Sequence, residues 1–192
     1  MNLNRVALGL VVALGLSSAA FAEAPIVDMT PYLKVSSVNA GLANALDMKV
    51  GDVSHYAIDI GGFLKGTMDM SVREEIAEGI WVVQNLDIQV QKQVVETLLN
   101  KNTGEVIKMI VNGQPQEVKK QDVKIISTAE ATITVPAGTF KTIDVKAHDN
   151  TQNQDIEEWI NPKDVPVGGA VQIQTTAQGM KVNIQLTSFK KN

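Results

Sequence analysis

The chain has no cysteine among its 192 residues. That absence removes disulfide bonds, thiol catalysis and thiolate zinc sites together, and with them the thiol that carries the lipid of a lipoprotein. Aromatic residues make up only 4%, and the two histidines are His55 and His148. Clustered positive charge is also missing: lysine and arginine total 17 against 21 acids, and the short basic runs are Lys119-Lys120 and Lys190-Lys191. Phosphate backbones are held by clusters of Lys and Arg, so nucleic acid is excluded as a partner class. Long apolar runs are scarce, and the one that stands out runs from Val6 to Leu16.

That run follows Arg5 and leads into Ser17 to Ala22, which ends in the small-x-small triplet Ala20-Phe21-Ala22. The three parts read as a cleavable secretory signal over residues 1–22, cut after Ala22. Eleven apolar residues are too few for the roughly 20 that cross a bilayer, so no stable membrane anchor is expected. Removing Arg5 with the signal leaves 16 basic residues against 21 acidic ones, a charge of −5. The expected product, residues 23–192, is a single freely diffusing periplasmic domain large enough for one good core.

Two kinds of pattern divide that domain. Thr30-Pro31 has the form of a helix start, and Val38, Leu42, Ala45 and Leu46 lie on one helical stripe, which predicts a helical segment over about 30–48. From about 53 to 190 the period is two. Tyr56, Ile58 and Ile60, then Leu64, Met68, Met70 and Val72, read as a hairpin; Leu86 to Leu99 alternates with a slip at Val94-Val95 that suggests a bulge or a strand end. Asn112-Gly113 closes the strand Ile107–Val111 with a type I′ signal, and Val123 to Val135, Ile143 to Ala147 and Ile156 to Ile160 read as further strands. The last pair, Val171 to Gln174 and Met180 to Leu186, alternates most strictly. The expected fold is mainly β (α+β): a curved antiparallel sheet or half-open barrel of about eight to ten strands, with one or two N-terminal helices on its concave face.

Catalytic chemistry finds little footing in this pattern. Both histidines fall on outward strand positions and no Gly-x-Ser-x-Gly turn exists, so no catalytic residue is assigned and the protein is read as a non-enzyme. The paired carboxylates Glu74-Glu75 and Glu157-Glu158 point to opposite strand faces and read as a charged turn or a guarded sheet edge. Gly61-Gly62 and Gly168-Gly169 lack the helix and lysine of a phosphate loop. No metal site and no cofactor are expected. The inward face is more suggestive. Met68, Met70, Met109 and Met180 share the buried parity with Ile184, and methionine is flexible and polarizable. These five residues are the candidate wall for an acyl chain or another irregular apolar ligand.

The segment Val135-Pro136-Ala137-Gly138-Thr139-Phe140-Lys141-Thr142, with Trp159-Ile160-Asn161-Pro162 and Val165-Pro166-Val167-Gly168-Gly169 after it, resembles a pattern of uncharacterised periplasmic β-domains. In these a PAGTF hairpin precedes a tryptophan strand and a proline-glycine bend. Lys49-Val50-Gly51-Asp52 is similar to their entry strand. Those domains look like distant relatives of the LolA and LolB carriers, whose unclosed barrel wraps a helix. The arginine that governs the LolA cavity has no counterpart here, the mature chain's one arginine being Arg73. The resemblance implies a periplasmic carrier of a lipid, acyl chain or lipidated protein. The alternative is an envelope protein-interaction module without a small ligand.

Overall fold

The structure is a computed structural model that describes residues 47–88, 91–118, 122–151, 153–177 and 179–192. The signal segment 1–22 lies outside the described residues, as does the helical segment except for Asp47 and Met48, which have no regular structure.

Alternation of apolar and polar residues drives the architecture. Among the described residues eleven strands form: β1 (Val53–Ile60), β2 (Leu64–Ile76), β3 (Gly79–Ile88), β4 (Gln91–Leu99), β5 (Val106–Val111), β6 (Gln114–Gln116), β7 (Val123–Val135), β8 (Gly138–Asp149), β9 (Gln154–Ile160), β10 (Ala170–Ala177) and β11 (Met180–Lys190). They make one antiparallel sheet in the order β6-β5-β4-β3-β2-β1-β11-β10-β9-β8-β7. Two meanders are thus joined along β1 and β11, the first and last strands, with Ile58 opposite Ile184 and Tyr56 opposite Leu186. Asp52 locks the seam. Its carboxylate, fully buried, accepts the backbone N–H of Lys49 at 2.9 Å and that of Asn192 at 2.8 Å.

The sheet is open, with β6 and β7 as its edges, and it does not curl into the half-open barrel expected from the pattern. The strand count also exceeds the expected eight to ten. The apparent slip at Val94-Val95 is a change of strand: β3 ends at Ile88, β4 starts at Gln91, and β4 then pairs without interruption from Gln91 to Leu99. Val95 is buried and Val94 faces solvent. The other unforeseen strand, β6, returns beside β5 through Asn112-Gly113. Both turn residues have positive φ (50° and 79°), the backbone a two-residue type I′ hairpin requires.

One face carries the core. Tyr56, Ile58 and Ile60 of β1, Met68, Met70 and Val72 of β2, Val82, Leu86 and Ile88 of β3, and Val182, Ile184 and Leu186 of β11 are all buried. Burying one such side chain contributes about 1.5–3 kcal/mol, so this row of matched pairs is the main source of stability. The loop 161–169 adds Val165 and Val167 to the same cluster. It is tied to β1 by the Ser54 hydroxyl donating to Pro166 O and the Tyr56 hydroxyl donating to Ala170 O, each at 3.1 Å. Burial pushes the Tyr56 phenol far up from its usual pKa; the hydrogen bond with Ser54 opposes the shift, and the nearby Glu158 charge adds a lesser push upward. Removing the hydroxyl leaves a buried carbonyl without its donor. Tyr56→Phe is therefore expected to cost about 1–2 kcal/mol in urea denaturation.

The β7–β8 hairpin bends. Val145 and Ala147 are buried in the second half of β8, but Phe140 and Thr142, of the other parity, are buried in the first half. The hairpin tip passes the ends of β9 and β10 to reach β11, where Ala137 N–H donates to Leu186 O at 3.1 Å and Phe140 lies 6.2 Å from Phe189.

Candidate functional site

The five candidate wall residues do share a face, but they do not all meet. Met68 and Met70 sit side by side on β2, are fully or nearly fully buried, and belong to the main core cluster with Ile184. Met180 is half-buried against that cluster, and Met109 is half-buried on β5. Five strand spacings separate β5 from β11, which is about 24 Å at about 4.8 Å per spacing. The coherent part is the stretch over β1, β2 and β3 around Met68 and Met70.

That stretch and the adjoining β4 carry several buried polar side chains: Ser54 on β1 lies opposite Met70, Thr97 on β4 lies opposite Val82, and two glutamines lie among them. Gln84 lies opposite Met70, and Gln93 lies opposite Leu86, which in turn faces Met68. Gln84 is 3% exposed and Gln93 is 1% exposed. Among the described residues the Gln84 Nε2 and both polar atoms of the Gln93 amide have no hydrogen-bond partner. Neither residue was marked by sequence, although Gln84 has the parity of Val82 and Leu86, and Gln93 that of Val95.

The histidines have closer company than the sequence suggested. His55 Nδ1 is 2.6 Å from Asp69 Oδ1, and His148 Nδ1 is 2.7 Å from Asp155 Oδ1. Ser188 stands opposite His55 on β11, which puts a serine, a histidine and an aspartate on three adjacent strands. Among the described residues no hydrogen bond joins Ser188 to the ring. His55 is half exposed on the outer face, beside the register shift between His55 and Tyr56.

Among the carboxylates, Glu74 pairs with Arg73 at 3.1 Å and Glu75 with Lys101 at 3.2 Å, as charges at a strand end should. Glu157-Glu158 does not guard an edge, because β9 is interior to the sheet: Glu157 meets Lys146 at 3.0 Å, and Glu158 is fully buried. Asp144 on β8 is a half-buried carboxylate with a raised pKa. Burial raises its pKa above the ordinary 3.8, the charge of Glu157 adds to the rise, and Lys146 opposes it. A carboxyl with a raised folded-state pKa lowers stability above that pKa, and the penalty disappears as pH falls towards the unfolded value. Asp144→Asn is thus expected to stabilise the fold at pH 7. Below pH 3.8 the gain should vanish, as paired denaturation curves at the two pH values would record.

Among the described residues, two of the cavities lie on the β8–β11 side. One of about 580 Å³ is bordered by Lys146, Asp155, Glu157, Gln174 and Lys181 together with Ile156 and Val182. The other, about 750 Å³, lies where β8 outruns β9 and is bordered by Glu130, Lys141, Ile143, Ile160 and Lys163. Neither is lined by a methionine or a histidine. Among the described residues no group of three or more His, Asp or Glu could hold a metal ion, and no helix is long and apolar enough to cross a membrane.

The chain is similar to two solved structures. One is a Bacteroides fragilis protein with a YmcC-like fold, inferred to be exported: 13% identity over 76% of this chain and 98% of that one, TM-score 0.43. The second is a Parabacteroides distasonis protein inferred to be a lipoprotein: 14% identity, the same coverage of each chain, TM-score 0.39. Both likenesses are distant. Neither protein is described as a LolA or LolB carrier. No protein-family model and no curated protein matches the chain.

Proposed function

We propose that this is an exported, non-catalytic periplasmic protein that binds an acyl chain or lipidated partner on the inner face of its sheet, around Met68 and Met70. The observation that carries this reading is the three buried, unmet amide atoms of Gln84 and Gln93 in that face. Each unmet buried polar atom costs about 1–3 kcal/mol, which a face serving only as core would shed by carrying leucine there. A face that must also receive a partly polar guest has reason to keep it. Flexible methionine beside the amides suits a guest of irregular shape. Purification without detergent, then native mass spectrometry and lipid extraction, tests the reading: a bound apolar mass released by organic solvent is expected, and a ligand-free protein that also fails to take up added acyl chains overturns it.

A second reading, an interaction module, draws on a different observation. The edge β6 is three residues long and contains Pro115, whereas the edge β7 runs for 13 residues with most side chains exposed. Short strands and proline blunt edges against pairing, so β7 is the edge left open to an added strand. Lys124 and the register shift between Ile125 and Ser127 narrow the usable stretch to its second half. Under this reading Ala131→Lys abolishes capture of a strand-adding partner while leaving any extracted lipid unchanged.

A further inference from the structure

The polar content of the inner face narrows the guest's chemistry, a step that rests on the ligand-binding reading above. In the register of β2, β3 and β4, Gln84 is opposite both Met70 and Val95, and Gln93 is opposite Leu86. The two glutamines are therefore diagonal neighbours on one face, within about 7–8 Å of each other at the backbone. Their nearest same-face residues are Met68, Met70, Leu86 and Val95, all buried and none charged. Buried polar side chains nearly always have a partner, so three unmet atoms in one spot call for one.

We infer that Gln84 and Gln93 form the polar anchor of an amide-linked acyl ligand, with its amide lying across β3 and β4 and its hydrocarbon running over Met68 and Met70. Donors and acceptors decide the class of polar group. Gln84 offers an unmet N–H group, while Gln93 offers both an N–H group and a carbonyl. Exchanging the oxygen and nitrogen of Gln93 leaves its requirement the same. A carboxylate or an ester brings acceptors only and leaves the Gln93 carbonyl unmet. An ammonium brings donors only. A secondary amide brings a carbonyl and an N–H on adjacent atoms, so it meets both glutamines together. The absence of charged residues among the neighbours fits an uncharged group, since an ion there would lose its hydration without compensation.

The test uses the mature protein and a matched pair of probes, N-methyldecanamide and methyl decanoate, each competing against a fluorescent apolar dye. The wild type is expected to bind the amide at least tenfold more tightly than the ester. Gln93→Leu is expected to erase that preference while leaving the ester's affinity intact, and its urea midpoint should not fall. Gln84→Leu serves as the second variant, with a smaller expected loss of preference because one donor is removed. Equal affinity for the two probes in the wild type, or a preference that survives in both variants, overturns the inference. If the dye and both probes fail to bind, the ligand-binding reading itself falls, an outcome distinct from binding without preference.

Discussion

Gly169→Val is expected to destabilise the domain by about 3 kcal/mol or more, a large fraction of the about 5–15 kcal/mol that holds a typical domain together. Gly169 has φ of +80°, where an L residue is strained and a β-branched one most of all. Space is lacking as well. A Cβ there would stand 2.5 Å from Pro162 Cα and 2.6 Å from Pro162 N, which are backbone atoms with no freedom to turn aside. Gly169 also accepts and donates at the base of the loop, with Asn161 N–H on its carbonyl at 2.7 Å. Moving it shifts the loop that places Val165 and Val167 in the core and meets the hydroxyls of Ser54 and Tyr56. Urea denaturation monitored by circular dichroism should show the loss as a lower midpoint at an unchanged slope. A variant within about 0.5 kcal/mol of wild type would mean that the loop does not brace the sheet.

The second large effect is expected at Ile184. It is fully buried between Ile58 on β1 and Ile173 on β10, where the two meanders join. Truncation to alanine removes three carbons and leaves a void that a ladder pinned on both sides cannot close, for a loss of about 3–4 kcal/mol. Because the seam pairs the first strand with the last, damage there weakens both meanders together. The unfolding transition should remain single and cooperative. Two separated transitions in Ile184→Ala would show the meanders to be independent units, contrary to a single core.

Much of the sheet was written in the sequence, because a sheet with one buried face forces a period of two. Tyr56 to Val72, Val123 to Val135 and Val171 to Leu186 all lie in the strands their alternation predicts. What misled was phase. A hairpin between two strands and a bulge inside one strand shift parity in the same way, so Val94-Val95 read as a slip when β4 had begun at Gln91. Openness was illegible for another reason. Alternation states which face is buried but says nothing about whether the outer strands find each other, and β6 and β7 do not.

The candidate site was half legible. Parity placed Met68, Met70, Met109, Met180 and Ile184 on one face, but lateral distance depends on strand order, which puts β5 and β11 far apart. Gln84 and Gln93 carried a signal in being polar residues on the buried parity, at positions where glutamine is ordinarily read as the solvent side. Glu158 was misread for the same reason that openness was missed: only the strand order makes β9 an interior strand. The pairing of His55 with Asp69 likewise depends on the register of β1 against β2.

The most direct test of a ligand on the inner face is methyl NMR of the mature protein with ¹³C-labelled methionine, titrated with an acyl probe. Met68 and Met70 are expected to shift first and most, with Met109 on β5 moving little. Resonances of Met68 and Met70 that stay fixed at saturating probe, with or without movement of Met109, would contradict the account.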